Sequence, residues 1–486
     1  MAGGRKRQAQ QRGGSRARER EQLERMAAAT ALPARADVCV VGGGAAGLAC
    51  AVTAAEAGAS VLVLERSLEC GRTILATGNG RCNFCNADLA ANNYNHPEFV
   101  AASMGEPSEA LERILGFWRG CGLSWAEEDG RLYPRSRQAA SVRNVLLARA
   151  RHAGAALACG REVTGATRQR GGWHVRLSQT WDGEERELDA ATLVIASGGA
   201  SGALADALGL ALVPDSPVLC GVAATAPAPG LLERLSGRRA HCVATLTRAG
   251  RVVMREAGEV LFREYGLSGI VSFNLSRHAR PGDAIELDLA PEVDAWEVDK
   301  LVADRPGDAH ALDGILDPAT AEALVGLAGG AQAGGLAWRV APLVKGLPFR
   351  VEGLADTAHA QVTRGGIDVA TLDARTLAAR GHDGLFACGE ALDVDGACGG
   401  YNLAWAWASG MRAGTSAARL AQETDERRSS DKTVRAAEAE RDARAKRANT
   451  KRDASVTAVG VAATEHASTA SAPHSPAKLA LEGKLS

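Results

Sequence analysis

The chain has 486 residues, 46% of them hydrophobic, and a formal charge of −1 with a pI near 6.8. That length calls for several domains or one large composite domain with a sizeable core. The balanced charge excludes a strong overall pull toward nucleic acid or anionic lipid, and no apolar run approaches the roughly 20 residues of a membrane-spanning helix.

In chain order, "MAGGRKRQAQQRGGSRARER" opens a basic, polar stretch expected to be a disordered arm over residues 1–35. No apolar core or cleavage site follows it, which disfavours a secretory signal. Then "DVCVVGGGAAGLACAVTAAEAGASVLVLER" reads as a strand at Asp37–Val41, a helix at Ala45–Ala57 stopped by Gly58, and a second strand at Ser60–Glu65. This is a βαβ unit with Gly42-x-Gly44-x-x-Gly47 at its turn. Gly42 permits the tight turn, Gly44 lets backbone approach a diphosphate, and Gly47 admits close helix–strand packing, with Ala45 and Ala46 in the first helical turn. The amides there favour a diphosphate. Glu65, about 20 residues on, suits ribose hydroxyls, with Arg66 beside it.

Next comes "LATGNGRCNFCNADL", whose Cys82 and Cys85 leave three readings: a metal knuckle, a thiol redox centre, or a loop lying against a cofactor. Zinc needs two further ligands, and no partner pair stands at finger spacing. The thiol centre stays open. A strand, "ATLVIASGG", ends at Gly198 and Gly199. Alternating stretches between about Leu219 and Arg350 ("HCVATLTRAG", "RVVMREAGEVLF", "DAIELDL", "LPFRVEG") predict an antiparallel sheet or small barrel, interrupted by a helical patch over Pro291–Leu336. "GLFACGE" is a further strand, and a long helix starts near Asn402. From about Glu423 the chain becomes highly charged, then Ser/Thr/Ala-rich, which predicts a solvated helix followed by disorder.

The eleven cysteines are odd in number and several sit inside apolar runs, which points to a reducing cytoplasm and not a disulfide framework.

A strand ending in Gly389-Glu390 after a dinucleotide fold favours FAD over NAD as the resident cofactor, because it resembles the distal motif of two-dinucleotide-binding flavoproteins. The helix opening at Gly399-Gly400-Tyr401-Asn402 would aim its positive end at the flavin edge where charge collects on reduction. The blocks "VVGGGAAGLACAVTAAEAG", "GRTILATGNGRCNFCN", "GRLYPRS", "GEVLFREYGLSGI", "AQVTRGGID" and "GLFACGEALDVDGACGGYNLAWAWASG" occur in the order of one bacterial family. From about Asp37 to Leu420 the chain resembles the NAD(P)/FAD-dependent oxidoreductases labelled aminoacetone-oxidase-family FAD-binding enzymes, some of whose members are assigned as reductases of 3-oxo-4,6-diene bile acids.

The resemblance implies an α/β fold: a discontinuous Rossmann-like FAD domain with an inserted β-barrel and helical subdomain. The expected divisions are 1–35 arm, 36–205 FAD domain, 206–290 barrel, 291–338 helical insert, 339–354 barrel, 355–421 FAD domain and 422–486 charged, disordered tail. It implies cofactor contacts from Arg72, Thr77, Gly78, Asn79, Gly80, Arg81, Cys82, Gly198, Gly389, Glu390, Gly399, Gly400, Tyr401, Asn402 and Leu403. Arg81, Asn83 and Tyr401 are the catalytic candidates. Tyr133, His241, His359, Trp405 and Trp407 read as packing or surface residues. The sequence departs from the family at Cys85, where Thr is more usual; at Arg263, Glu264 and Ile270, where Thr, His and Pro are usual; and in the short loop after "IASGG".

The expected activity is hydride transfer from NAD(P)H through FAD to an unsaturated carbonyl-type small molecule. An amine oxidase using O2 and an RNA-associated flavoprotein anchored by the basic arm are the alternatives. No second glycine motif for NAD(P)H is present, and the oligomeric state is not legible.

Overall fold

The computed structural model describes residues 17–306, 308–329 and 337–464. The chain divides into two compact units, Met1–Gln422 and Glu423–Ser486.

In the first unit, β1 (Arg35–Val41), α1 (Ala45–Glu56) and β2 (Val61–Glu65) form the expected βαβ unit, with Val38 opposite Val61 and Val41 opposite Leu64 in parallel register. Val38, Cys39, Val40 and Val41 are all buried, which explains why the run is continuously apolar: a parallel strand is covered on both faces. The sheet has seven strands. Ala156–Cys159, β2, β1 and Glu185–Ile195 lie parallel, while Gly172–Gln179 and Arg161–Gln169 extend it antiparallel. Leu385–Ala387 returns from far along the chain to pair in parallel with Leu193–Ile195.

The C-terminal helix, Tyr401–Thr464, lays its first turns across α1. A side chain on Gly410 would drive into the carbonyl of Ala46, and one on Gly414 into that of Cys50. Only glycine allows that approach of two backbones. Trp405 and Trp407 are buried on this helix, and their indole nitrogens donate to Gly389 O (3.1 Å) and Phe84 O (2.8 Å). Both are core residues, as the sequence reading has them.

Six strands close the predicted barrel, in the order Gly221–Thr225, Gly266–Ser268, Arg251–Arg263, Arg239–Arg248, Ala284–Asp288 and Leu347–Ala355. Closure leaves no unpaired edge. Leu246, Val260, Phe262, Ile285 and Phe349 fill its interior. Helices Ala295–Ala303, Pro318–Leu327 and Ala337–Lys345 contribute Val298, Leu324 and Val344 to the same apolar cluster. The first of them starts at a capping box of Asp294 and Glu297.

Three expectations are corrected. The arm is helical over 17–29, where Ala27 is buried and its carbonyl accepts from Arg161 Nη2 at 3.2 Å; the alanine run gives it something to bury. Residues 1–16 lie outside the described part. Leu212–Val218 belongs to a two-stranded ribbon with Val362–Ile367 and not to the barrel. Residues 339–345 are helical, in Ala337–Lys345, since their apolar residues recur at helical spacing. The first part of the charged tail is helical, as expected, the helix running to Thr464, its Ala, Glu, Arg and Lys content outweighing its lack of an apolar face; the disorder expected after it falls on residues 465–486, which lie outside the described part. All eleven cysteines are free thiols. No helix among the described residues is long and apolar enough to cross a membrane.

Gly414→Val is expected to lower the unfolding free energy by about 3 kcal/mol or more, because backbone has to move to make room. Chemical denaturation checks this, and an unchanged midpoint would remove the helix crossing from its central place.

Candidate cofactor site

The glycine turn divides its work between packing and access. A Cβ on Gly47 would strike the Gly42 carbonyl, so that glycine serves helix–strand packing. Gly44 meets only Thr73 Oγ1, 3.8 Å away, and has φ −78°, which any residue adopts. Its bareness leaves room for a ligand. Glu65, at the end of β2, accepts from Gly43 N–H and from Ser67 N–H, each at 2.7 Å. It therefore braces the turn it was expected to complement. Arg66 and Arg72 are exposed beside it.

The other predicted blocks converge on this turn. Gly389 abuts Ala46, a Cβ there standing 2.5 Å from the alanine methyl. Gly198 faces Glu390, 3.9 Å from Oε2 by the same measure. Glu390 Oε1 accepts from Thr363 N–H at 2.9 Å. Its carboxyl opens to solvent on one side but is otherwise ringed by protein, and this crowding, with Asp215 nearby, pushes its pKa up against the Thr363 hydrogen bond.

The segment Arg72–Gly80 is a tight helical turn broken at Thr77, with Gly78 and Asn79 left-handed. Thr77 Oγ1 donates to Ile74 O at 2.7 Å, and Gly80 and Cys82 complete the bend with positive φ. The bend delivers Asn83 to Gly400, where a Cβ would stand 2.8 Å from Asn83 Oδ1. That oxygen is buried and has no hydrogen-bond partner among the described residues. Such an orphan is rare, and it fits an N–H of a bound isoalloxazine ring. Among the described residues, the bare face at Gly44 and this acceptor beside Gly400 fit the diphosphate and the ring of a dinucleotide such as FAD.

Arg81 and Asn402 have protein partners of their own. Arg81 is half exposed, pairs with Glu128 at 3.2 Å, and stacks on Tyr133 at 4.8 Å. Asn402 is a clamp: its amide accepts from Gly396 N–H at 2.8 Å and donates to Gly396 O at 2.9 Å, shaping the loop before the helix. Cys82 and Cys85 are buried, which pushes their thiols to about 11 and about 12, so neither is a thiolate nucleophile near neutral pH. His241 and His359 are exposed. Leu403 is half-buried at the start of the helix.

Sequence reasoning missed the residues that hold the loop before Gly399. Asn86 Nδ2 donates to Gly399 O at 2.8 Å. Asp395, fully buried, takes Arg277 Nε at 2.7 Å and Arg364 Nε at 2.6 Å. Burial raises the Asp395 carboxyl, but the two guanidiniums more than offset it and the net shift is downward. Asp393 pairs with His96 at 2.8 Å and accepts from Gly365 N–H at 2.9 Å. The Asp-x-Asp pair was visible in "ALDVDGACGG", but its arginine partners lie elsewhere in the chain.

Also missed was a cluster where the barrel meets the loop Cys398–Gly400. Asn274 Nδ2 donates to Glu256 at 2.7 Å, while its Oδ1 accepts from Cys398 N–H at 2.7 Å. Arg131 Nε would be 3.6 Å from a Cβ on Gly399. Glu256 is pushed up by burial, against the Asn274 hydrogen bond and the charges of Arg131 and Arg277. Tyr401, packed edge-on against Tyr94 at 5.9 Å, is pushed to about 12 by burial and stays a phenol donor.

Fold and site together define an FAD-dependent oxidoreductase. The chain belongs to the HI0933-like protein Rossmann domain family, whose model matches residues 36–416. It is 31% identical to a 3-dehydro-bile acid delta(4,6)-reductase of Clostridium scindens, over 78% of this chain and 98% of that protein. It is 28% identical to a ribosomal RNA dihydrouridine synthase of Escherichia coli, over 77% of this chain and 96% of that protein. Among solved structures, it is similar to a 3-ketosteroid-delta4-(5alpha)-dehydrogenase from Rhodococcus jostii, with 18% identity, a TM-score of 0.43, and 80% and 98% of the two chains covered.

Gly44→Val is expected to keep the fold and lose FAD binding, whereas Gly47→Val is expected to lose the fold itself. Circular dichroism and FAD titration on both variants check the division; retention of FAD by the folded Gly44→Val protein would contradict it.

Proposed function

We propose that this protein is a reductase that saturates a carbon–carbon double bond conjugated to a carbonyl in a small molecule, with NAD(P)H as reductant. The observation carrying this reading is the Glu256–Asn274–Cys398 chain of hydrogen bonds, which sets a carboxyl from the barrel against the loop Cys398–Gly400, with Arg131 alongside. The names of two relatives support the same bond change, since a delta(4,6)-reductase and a dihydrouridine synthase each saturate a C=C conjugated to a C=O.

The turn Gly42–Gly47 would hold the diphosphate of FAD, Glu65 and Glu390 its ribose and ribityl sides, and Asn83 with Gly399, Gly400 and Tyr401 the ring. Bound FAD would supply a two-electron carrier that places hydride on the β-carbon. Arg131 stabilises negative charge developing on the substrate oxygen. Glu256, whose pKa burial raises, gives the balancing proton to the α-carbon in its acid form. Asn274 keeps that carboxyl in register, and the Tyr401 hydroxyl offers a second donor.

Anaerobic titration with NADH and NADPH should bleach the flavin, and an enone should restore its colour; bleaching by amines alone would overturn the reductase in favour of an oxidase. Glu256→Gln is expected to lower turnover by about 10²- to 10⁴-fold without slowing flavin reduction by NAD(P)H. Because the working form is the acid, activity should fall as pH rises through the raised Glu256 pKa. That limb should vanish in the variant, and its persistence would exclude Glu256. The RNA reading rests on the second relative's name; it predicts salt-sensitive RNA binding lost on removal of residues 1–35.

A further inference from the structure

We propose that a cavity of about 300 Å³, between the ribbon Leu212–Val218/Val362–Ile367 and the open end of the barrel, is a binding site for a phosphate-class oxyanion. Arg248, Arg277, Arg280 and Arg364 line it together with His278 and Ser216, and none of its lining residues is acidic.

Two carboxylates stand behind these arginines and do not exhaust them. Asp283 takes Arg248 Nε and Nη2 at 2.9 and 2.8 Å, and Asp395 is shared between Arg277 and Arg364. Four guanidiniums surround one small volume and hydrogen-bond to only two carboxylates, with Asp393 and Glu256 acting on Arg364 and Arg277 from farther away. The donors left over have no acceptor among the described residues: Nη1 of Arg248, Nη1 of Arg277, and the whole guanidinium of Arg280. Arg277 is 4% exposed and held at two points by Asp395, so its remaining donor is fixed in direction before any ligand arrives. Preorganised guanidinium donors of this kind suit the several acceptor oxygens of a phosphate.

His278 reports the same positive charges. Crowding by the protein pushes its pKa down first, and the Arg277 and Arg364 charges push it further, against the Asp395 carboxylate. Leu354, Val218 and the 38%-exposed Val253 form an apolar wall on the remaining side, which admits an organic group attached to the anion. Hydride transfer uses none of Arg248, Arg280 or Ser216, so this site is separate from the proposed reductase chemistry and does not stand or fall with it.

The test uses the full chain saturated with FAD, so that the diphosphate subsite is filled. Inorganic phosphate and glycerol 3-phosphate are titrated calorimetrically at constant ionic strength set with chloride. Saturable binding of either is expected, weakened about tenfold or more by Arg280→Ala and likewise by Ser216→Asp, which places a negative charge in the cavity. Saturation by inorganic phosphate identifies a free anion as sufficient; saturation by glycerol 3-phosphate alone identifies an organic phosphomonoester. No saturable binding of either, or binding that both variants leave unchanged, overturns the proposal.

Discussion

The crossing of α1 and the C-terminal helix at Gly410 and Gly414 is the constraint on which the molecule depends. There the carbonyls of Ala46 and Cys50 occupy the space a side chain would need. This contact holds together two stretches of chain separated by the entire barrel. It carries with it the strand Leu385–Ala387, which completes the parallel sheet, and the turn at Gly389, seated on Ala46. Closing so long a loop costs little more entropy than closing a shorter one, so an insertion of barrel size is tolerated once the crossing is tight. The helices that follow the glycine turn after β1 and the loop at Gly399 are thus packed backbone to backbone.

A second seam, made of charge, joins the barrel to the same loop. Asp395 has lost all contact with water, a state that is costly for a lone carboxylate. Two arginines from different elements offset that cost, each through hydrogen bonds in good geometry. Arginine suits the place better than lysine because its planar fork reaches the carboxylate with two donors and still has others to spare. The barrel is thereby oriented against the loop before Gly399. The carboxyl of Glu256 reaches the loop through Asn274. Site geometry in this protein is thus set by one apolar contact and one ionic one, on opposite sides of the same short loop.

The βαβ unit, the closed barrel and the tight glycines at 42, 47, 389 and 400 were legible because each depends on local pattern: continuous apolar runs, alternation, or a close approach that only a small residue permits. Arg81 shows where that legibility stops. An arginine in a glycine-rich loop gives no sign of its protein partners, which here are Glu128 and Tyr133. Asn402 gave an equally plain signal but none of the clamp its amide makes on Gly396. The helix over 17–29 was hidden by its charge, since the alanines that make it worth burying are few and late.

Sequence alone determined the dinucleotide fold, the cofactor class and the family, because steric demands at glycines and the period of apolar residues act over a few neighbouring positions. Only tertiary structure decided which polar residues share a space. Arg131, Glu256 and Asn274 meet the loop Cys398–Gly400, and Arg277 and Arg364 meet Asp395, across separations at which no periodicity connects them. Electrostatic and hydrogen-bonded partners are chosen by distance in space, and that distance is set by how the helices and barrel pack.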